Sequence, residues 1–107
     1  MNQGDIYWYT FRAPDKRRPV LILTRGSAIR FLTGITIAPI TSTIRGIPSE
    51  VALTPADGLR AECAANCDNI QTVPKANLEA FITHLSQAKM REVRAAIEFA
   101  LGFDALV

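Results

Sequence analysis

The chain of 107 residues is 49% hydrophobic and 21% charged, which predicts one compact domain over residues 1–107 and excludes a disordered protein. Its two cysteines are too few for a disulfide scaffold or an all-cysteine zinc site, and no run of residues is long and apolar enough to cross a membrane. The formal net charge is +2, yet residues 6–49 carry seven basic residues against one acidic residue, which indicates one face suited to a polyanion.

The first three predicted strands lie in the most apolar part of the chain. Residues 6–11 are aromatic and β-branched, and they end at a turn over residues 13–15. Residues 20–24 follow a basic turn and are apolar on both faces, so they predict a central, buried strand. Residues 32–40 predict a third strand. Because Pro39 has no N–H to donate, this strand should end, bulge or lie at an edge there.

A polar loop over residues 41–48 precedes a series of shorter strands. Glu50–Leu53 is predicted as a strand that closes at the Asp57-Gly58 turn signal. Two further strands are predicted over residues 62–66 and 70–73. Short strands with turn signals roughly every eight to twelve residues are typical of a small barrel.

The C-terminal part of the chain has helical periodicity. Ser86 is a suitable N-cap, and Gly102 stands where a helix commonly ends. The apolar residues that recur between them at spacings of three and four are Met90, Val93, Ile97 and Leu101. Residues 81–85 fit either a strand or a helix. The predicted fold is therefore mainly β with a C-terminal helix, a small β-barrel on which that helix docks.

Several kinds of active site are excluded by the residues that are present. His84 is the only histidine, and its place beside the predicted helix start favours a structural role. Cys63 and Cys67 are interpreted as small apolar side chains in strands rather than as a redox or metal pair. The acidic residues form no close pair, so a two-metal nuclease site is unsupported, and there is no glycine-rich phosphate loop or nucleophile elbow. We therefore expect neither a metal nor a cofactor.

Arginine and hydroxyl side chains remain as candidates for chemistry. Arg18 directly precedes Pro19 at the start of a buried strand, and a guanidinium presents a planar fork of donors to phosphate oxygens. Thr41, Ser42 and Thr43 supply hydroxyls where another central strand ends. If the two strands are antiparallel neighbours, Arg18 and Thr41 meet at one rim. The alternative is a solvated basic turn and an ordinary polar loop.

Five short motifs together point to a known family. They are residues 4–8 (GDIYW), 18–23 (RPVLIL), 38–42 (APITS), 45–46 (RG) and 67–73 (CDNIQTV). Each is weakly specific alone, but the five in this order and at this approximate spacing are strong together. By them the chain resembles the MazF/PemK (Kid-like) toxins of type II toxin–antitoxin systems, over nearly its whole length.

The resemblance implies a homodimer of small SH3-like β-barrels, the fold that MazF, Kid and CcdB toxins share, and a metal-independent endoribonuclease. It implies that Arg18 and Thr41 are the catalytic pair, and it sets Asp68 where some members carry a catalytic aspartate. In the implied reaction a ribose 2′-OH attacks the adjacent phosphorus and leaves a 2′,3′-cyclic phosphate and a 5′-OH end. Because arginine is effectively never neutral, we expect Arg18 to stabilise the transition state and Thr41 to hydrogen-bond the phosphate. Asp68 would orient Arg18 or accept the 2′-OH proton.

Binding partners are also implied by the resemblance. The predicted RNA contacts are the polar residues that flank the proposed rim, namely Arg17, Ser42, Thr43, Arg45 and Gln71. Tyr7, Trp8 and Tyr9 lie in a strand, so most of these aromatic rings are expected in the core. An acidic, MazE-like antitoxin segment should compete with single-stranded RNA for the basic groove.

Two departures from the family pattern bear on specificity. The loop over residues 12–17 is shorter than in many members, so the recognised RNA sequence does not carry over. Asn66 stands where some members have an arginine two residues before the aspartate.

Two other functions stay open at this point. A gyrase-poisoning toxin of the same fold would arrest replication and leave RNA intact. A plain RNA-binding barrel would keep its activity after Arg18→Ala, apart from some loss of affinity. The Arg18-Pro19 pair and residues 39–42 resemble the ribonuclease branch and favour the endoribonuclease. No signal peptide is visible at the start, so the cytoplasm is the expected location, with no membrane partner.

Overall fold

The computed structural model describes residues 1–12 and 16–106, in which seven strands and two helices form. The strands are β1 (Asp5–Thr10), β2 (Arg17–Ile22), β3 (Gly34–Thr41), β4 (Glu50–Leu53), β5 (Cys63–Asn66), β6 (Gln71–Pro74) and β7 (Phe81–His84). The helices are the short α1 (Gly26–Ile29) and the C-terminal α2 (Gln87–Leu101). The turn predicted over residues 13–15 lies outside the described residues. The predicted architecture, mainly β with a C-terminal helix, is confirmed.

One antiparallel sheet contains all seven of these strands. Its order is β4-β5-β3-β2-β1-β7, and β6 pairs with β3 beside β5. The strand β3 is thus shared by three neighbours, with β2 along one edge and β5 and β6 in succession along the other. None of the helices in the described part of the chain is long and apolar enough to cross a membrane.

Strand β2 is buried on both faces, as its uninterrupted apolar run predicts. Leu21 belongs to an apolar cluster beneath α2 that also includes Ile6, Ala38, Leu53 and Val93. Val20 and Ile22 belong to a second cluster on the other face, with Ile35, Ile37 and Val73. Burying each of these large aliphatic side chains contributes about 1.5–3 kcal/mol. The strand β2 is therefore a rigid support for the side chains of its first residues, Arg17 and Arg18.

The start of β2 and the course of β3 differ from prediction. The strand β2 begins at Arg17, so the basic segment expected to be a turn is strand, and Pro19 pairs with Trp8 of β1. The strand β3 runs through Pro39 to Thr41, so the expected end, bulge or edge at Pro39 was wrong. Pro39 pairs with β2 on one side, and on the other it falls between the residues that pair with β6 and those that pair with β5. A residue without an N–H is tolerated there because neither neighbour needs its donor.

The helix α2 begins and ends where the sequence predicts. Ser86 Oγ accepts a hydrogen bond of 3.1 Å from Lys89 N, and Gly102 ends the helix in the left-handed region at φ 78°. Val93 and Ala96 are buried, whereas Leu101, predicted on the apolar stripe, is 56% exposed. Residues 81–84, which the pattern left undecided, form the edge strand β7.

Candidate active site

Arg18 and Thr41 lie at corresponding positions of neighbouring strands. The ladder between β2 and β3 pairs Val20 with Pro39 and Ile22 with Ile37. Continuing this register by two residues sets Arg18 opposite Thr41, and directly opposed residues have Cβ atoms about 4.5–5.5 Å apart. Both side chains are half-buried, and both residues line the same groove. The meeting expected from antiparallel neighbours is therefore present.

The groove that contains them has a volume of about 600 Å³. One wall consists of the start of β2, the end of β3 and the hydroxyl-bearing residues Ser42 and Thr43. The segment of residues 58–63 and Trp8 of β1 also line the groove, and Trp8 lies near both Arg17 and Arg60. Among the described lining residues, four are basic (Lys16, Arg17, Arg18 and Arg60) and one is acidic (Glu62). The groove is thus suited to an anionic chain.

Thr41 is held as a hydrogen-bond donor toward the groove. Its Oγ1 accepts a 3.0 Å hydrogen bond from the backbone N–H of Thr43. Because a hydroxyl has one hydrogen, accepting from the backbone leaves the O–H itself for another acceptor. A phosphate oxygen in the groove is an acceptor of the required kind.

Arg17 and Arg18 point to opposite faces of β2, as alternation along a strand requires. The Arg18 guanidinium carbon lies 6.0 Å from the centre of the Phe11 ring, whereas that of Arg17 lies 4.3 Å from the centre of the Trp8 ring. Arg17 Nε also donates a 2.7 Å hydrogen bond to Glu79. Hydrogen bonds from Arg17 and from Thr10 hold the pKa of Glu79 below its usual value.

Three of the predicted site residues do not line the groove. Arg45 Nε donates to the buried Glu50 at 3.2 Å. Asp68 is exposed, and its carboxylate accepts a hydrogen bond from the buried Ser49. Gln71 pairs with Ile37, four residues from Thr41 along β3.

Asp68 is separated from Arg18 and Thr41 by the length of β5. The residue that pairs with Thr41 is Ala64, near the start of β5, and Asp68 follows the end of that strand. With two strand residues at about 3.3 Å and two residues of a 3-10 turn at about 2 Å, Asp68 lies roughly 10 Å farther along the sheet than Thr41. The structure therefore unites Arg18 with Thr41 but does not bring Asp68 to them within one chain.

Trp8 and Arg60 are groove residues that sequence reasoning missed. Trp8 was expected mostly in the core, but it is half-buried and lines the groove between Arg17 and Arg60. Arg60 follows the recognised Asp57-Gly58 turn, and only the fold shows that this turn faces the start of β2. The sequence contained one local signal for this segment. Leu59 is an apolar residue just after the turn, and an apolar residue there indicates that the segment packs against the core.

The two cysteines differ in secondary structure: Cys63 begins β5, as predicted, whereas Cys67 begins a 3-10 helix and not the predicted strand. Cys63 and Cys67 are buried free thiols. Burial and the nearby Asp68 raise the pKa of Cys67 to about 11, and burial raises the pKa of Cys63 as well. His84 Nδ1 lies 2.7 Å from the buried Asp5 carboxylate, and His84 does not line the groove. In residues 1–12 and 16–106, no three His, Cys, Asp or Glu side chains are grouped so that they could hold a metal ion.

Comparison with known proteins identifies relatives along nearly the whole chain. Residues 2–101 match the family described as PemK-like, MazF-like toxin of type II toxin–antitoxin system. The chain is 41% identical over 93 residues to endoribonuclease MazF3 of Mycobacterium tuberculosis, an alignment that covers 87% of this chain and 90% of the relative.

Solved structures show the same similarity in three dimensions. The Mycobacterium tuberculosis toxin MazF-mt6 superposes with a TM-score of 0.85 at 38% identity, covering 92% of this chain and 96% of that one. A mycobacterial endoribonuclease in complex with its cognate antitoxin superposes with a TM-score of 0.83 at 28% identity and 95% coverage of each chain.

Proposed function

The chain belongs to the PemK-like, MazF-like family of type II toxins, and from this premise we propose that it is a toxin that cuts single-stranded RNA at short, specific sequences. The observation that carries the proposal is the opposition of Arg18 and Thr41 across β2 and β3 at the rim of a basic groove. Both residues also match the family motifs in which the catalytic pair is found.

The reaction that this arrangement supports is internal transesterification of RNA. The 2′-oxygen attacks the adjacent phosphorus, the bond to the 5′-oxygen breaks, and the products carry a 2′,3′-cyclic phosphate and a 5′-OH. Arg18 stabilises the negative charge that grows on the phosphate oxygens, because its guanidinium stays charged and its strand is fixed on both faces. Thr41 donates its hydroxyl hydrogen to the phosphate. Because the nucleophile is the 2′-OH, single-stranded DNA binds but is not cut.

The proposal involves neither a metal nor a cofactor. Its transition-state charge is met by a guanidinium and a hydroxyl, which need no metal ion to be electrophilic. Asp68 belongs to the proposal as a third site residue. Because it lies outside the groove of its own chain, we assign it a smaller contribution to rate than Arg18 or Thr41.

The proposed partners follow the chemistry of the groove. Single-stranded RNA enters it as substrate, with Arg17, Ser42 and Thr43 in contact with the strand. Arg45 and Gln71, which lie outside the groove, contact more distant nucleotides. An acidic antitoxin segment competes for the same positive charge, and the toxin acts as a cytoplasmic homodimer.

The test is cleavage of a long, unstructured RNA in EDTA by the wild type, Arg18→Ala and Thr41→Ala, with cut ends mapped by primer extension. Arg91→Ala, which removes an exposed arginine of α2 outside the groove, is the matched control. We expect discrete cuts with 5′-OH ends from the wild type and the control. Removing one preorganised donor should lower the rate about 10²–10³-fold in the two site variants.

Other outcomes would contradict the proposal in distinct ways. Equal cutting by wild type and Arg18→Ala would show that the arginine is wrongly assigned. Intact RNA with a wild type that binds it tightly would support the plain RNA-binding barrel. Intact RNA with arrest of a DNA gyrase reaction would support the gyrase-poisoning function.

A further inference from the structure

Arg60 lines the same groove as Arg18 and Thr41. It is exposed, and its guanidinium carbon lies 5.8 Å from the centre of the Trp8 ring. Within residues 1–12 and 16–106, no carboxylate lies within ion-pairing distance of Arg60. Trp8 therefore holds the guanidinium in place without neutralising its charge.

The two exposed arginines predicted to contact RNA have a different environment. Arg17 makes a 2.7 Å ion pair with Glu79, and Arg45 makes a 3.2 Å ion pair with Glu50. A guanidinium already bonded to a carboxylate has to exchange that partner before it binds a phosphate. Arg60 has no carboxylate partner among the described residues, so its donors bind an incoming anion without first releasing one.

The backbone that carries Arg60 is anchored at the turn that precedes it. The preceding turn is capped by Thr54 and ends at Gly58, whose φ of 98° requires the left-handed region. Thr83 Oγ1 donates a 3.2 Å hydrogen bond to Asp57 O, and Leu59 is buried against the core. The position of Arg60 is thus set by the fold before a ligand arrives, which lowers the entropy lost on binding.

We propose that Arg60, held by Trp8, binds a phosphate of the RNA strand next to the cleaved one and so positions the scissile phosphate between Arg18 and Thr41. This inference rests on the proposed function for its substrate and extends it by one positioning residue. RNA is favoured over an acidic protein segment because the groove offers the Arg60 guanidinium and the hydroxyls of residues 41–43 to phosphates, and the Trp8 ring to an unpaired base that displaces Arg17 from it.

Binding is measured by fluorescence anisotropy with a labelled oligo(dT) strand, which lacks the 2′-OH and cannot be cut, at several salt concentrations. Arg60→Ala should weaken binding about tenfold, and the slope of log affinity against log salt should fall in magnitude by about 0.7. Arg60→Lys should restore the salt slope but not the full affinity, because lysine keeps the charge and loses the fork and the stack. Arg91→Ala on α2 is the charge-matched control and should change neither quantity.

Cleavage assays separate this inference from the proposed function. Arg60→Ala should raise KM about tenfold and leave kcat within about twofold, as expected for a contact made equally in the ground and transition states. If the wild type cuts RNA and Arg60→Ala matches it in affinity, salt slope and KM, the inference is wrong and the proposed function stands. If no RNA is cut but oligo(dT) binding depends on Arg60 as described, the phosphate contact of Arg60 stands, whereas its positioning role is overturned together with the nuclease proposal. A third outcome would also overturn the inference. If Arg60→Ala weakens binding of poly-glutamate but not of oligo(dT), Arg60 serves an acidic protein partner and not RNA.

Discussion

Gly58 offers a quantitative test of how tightly the groove wall is packed. A Cβ at this position would lie 2.3 Å from Thr83 Oγ1 and 2.7 Å from Thr83 Cβ, and φ is +98°. The left-handed backbone costs an alanine about 1 kcal/mol, and forced overpacking costs about 1–3 kcal/mol. Rotating Thr83 away would also break its hydrogen bond to Asp57 O, at about 1 kcal/mol. Gly58→Ala should therefore lower the free energy of unfolding by about 3–5 kcal/mol, a large part of the roughly 5–15 kcal/mol typical of a domain.

Gly46→Ala is the matched control for this prediction. Gly46 also has a positive φ, +67°, but a Cβ there meets nothing within 4 Å. Gly46→Ala should lower the free energy of unfolding by about 1 kcal/mol, which is the cost of the left-handed backbone alone. Urea unfolding of the wild type and both variants, followed by tryptophan fluorescence of Trp8, measures the difference. If the two variants lose equal stability, the wall moves freely to make room for a methyl group, and the rigidity argued for Arg60 is refuted with it.

Three further changes test the remaining assignments. Glu50→Gln should destabilise the protein by about 2 kcal/mol at pH 7. Burial alone would raise the pKa of Glu50, but hydrogen bonds from Arg45 and Gly46 lower it overall, so the difference in unfolding free energy should shrink as the pH falls below about 4. Asp68→Asn should slow RNA cleavage less than about tenfold, against about 10²–10³ for Arg18→Ala, and an equal loss would contradict the separation seen here. Iodoacetamide at pH 7.5 should label neither Cys63 nor Cys67 until urea unfolds the chain, since burial raises the pKa of both thiols; rapid labelling of the folded protein would refute this.

Local patterns were enough to predict most strands and the C-terminal helix. The alternation and β-branching of residues 6–11, the unbroken apolar run from Val20, and the Ser86 and Gly102 caps each act within a few residues of where they stand in the chain. The errors at Pro39 and Leu101 have tertiary causes. Pro39 is tolerated because two partner strands meet beside it, and at the end of α2 Ala100 packs against the core whereas Leu101 is exposed. Neither cause is visible in the neighbouring residues.

The candidate site, like the fold, was predictable from the sequence only in part. Arg18 and Thr41 were candidates because they supply donors at the ends of buried strands, but their pairing as catalytic residues was implied only by the resemblance to the toxin family. The sequence could not predict whether the groove arginine Arg17 is ion-paired, because its partner Glu79 lies 62 residues away in the chain. Nor was the separation of Asp68, which depends on the direction in which β5 leaves Thr41.

The sequence by itself determined the elements, the apolar faces and the family motifs, since these depend on periodicity and on residue types over short spans. Only the tertiary structure decided that Arg17 pairs with Glu79 and that Arg60 lines the same groove as Arg18 and Thr41. Strand register and long-range ion pairs bring together residues that lie far apart in the chain. Their energies depend on distances in space, which no local pattern specifies.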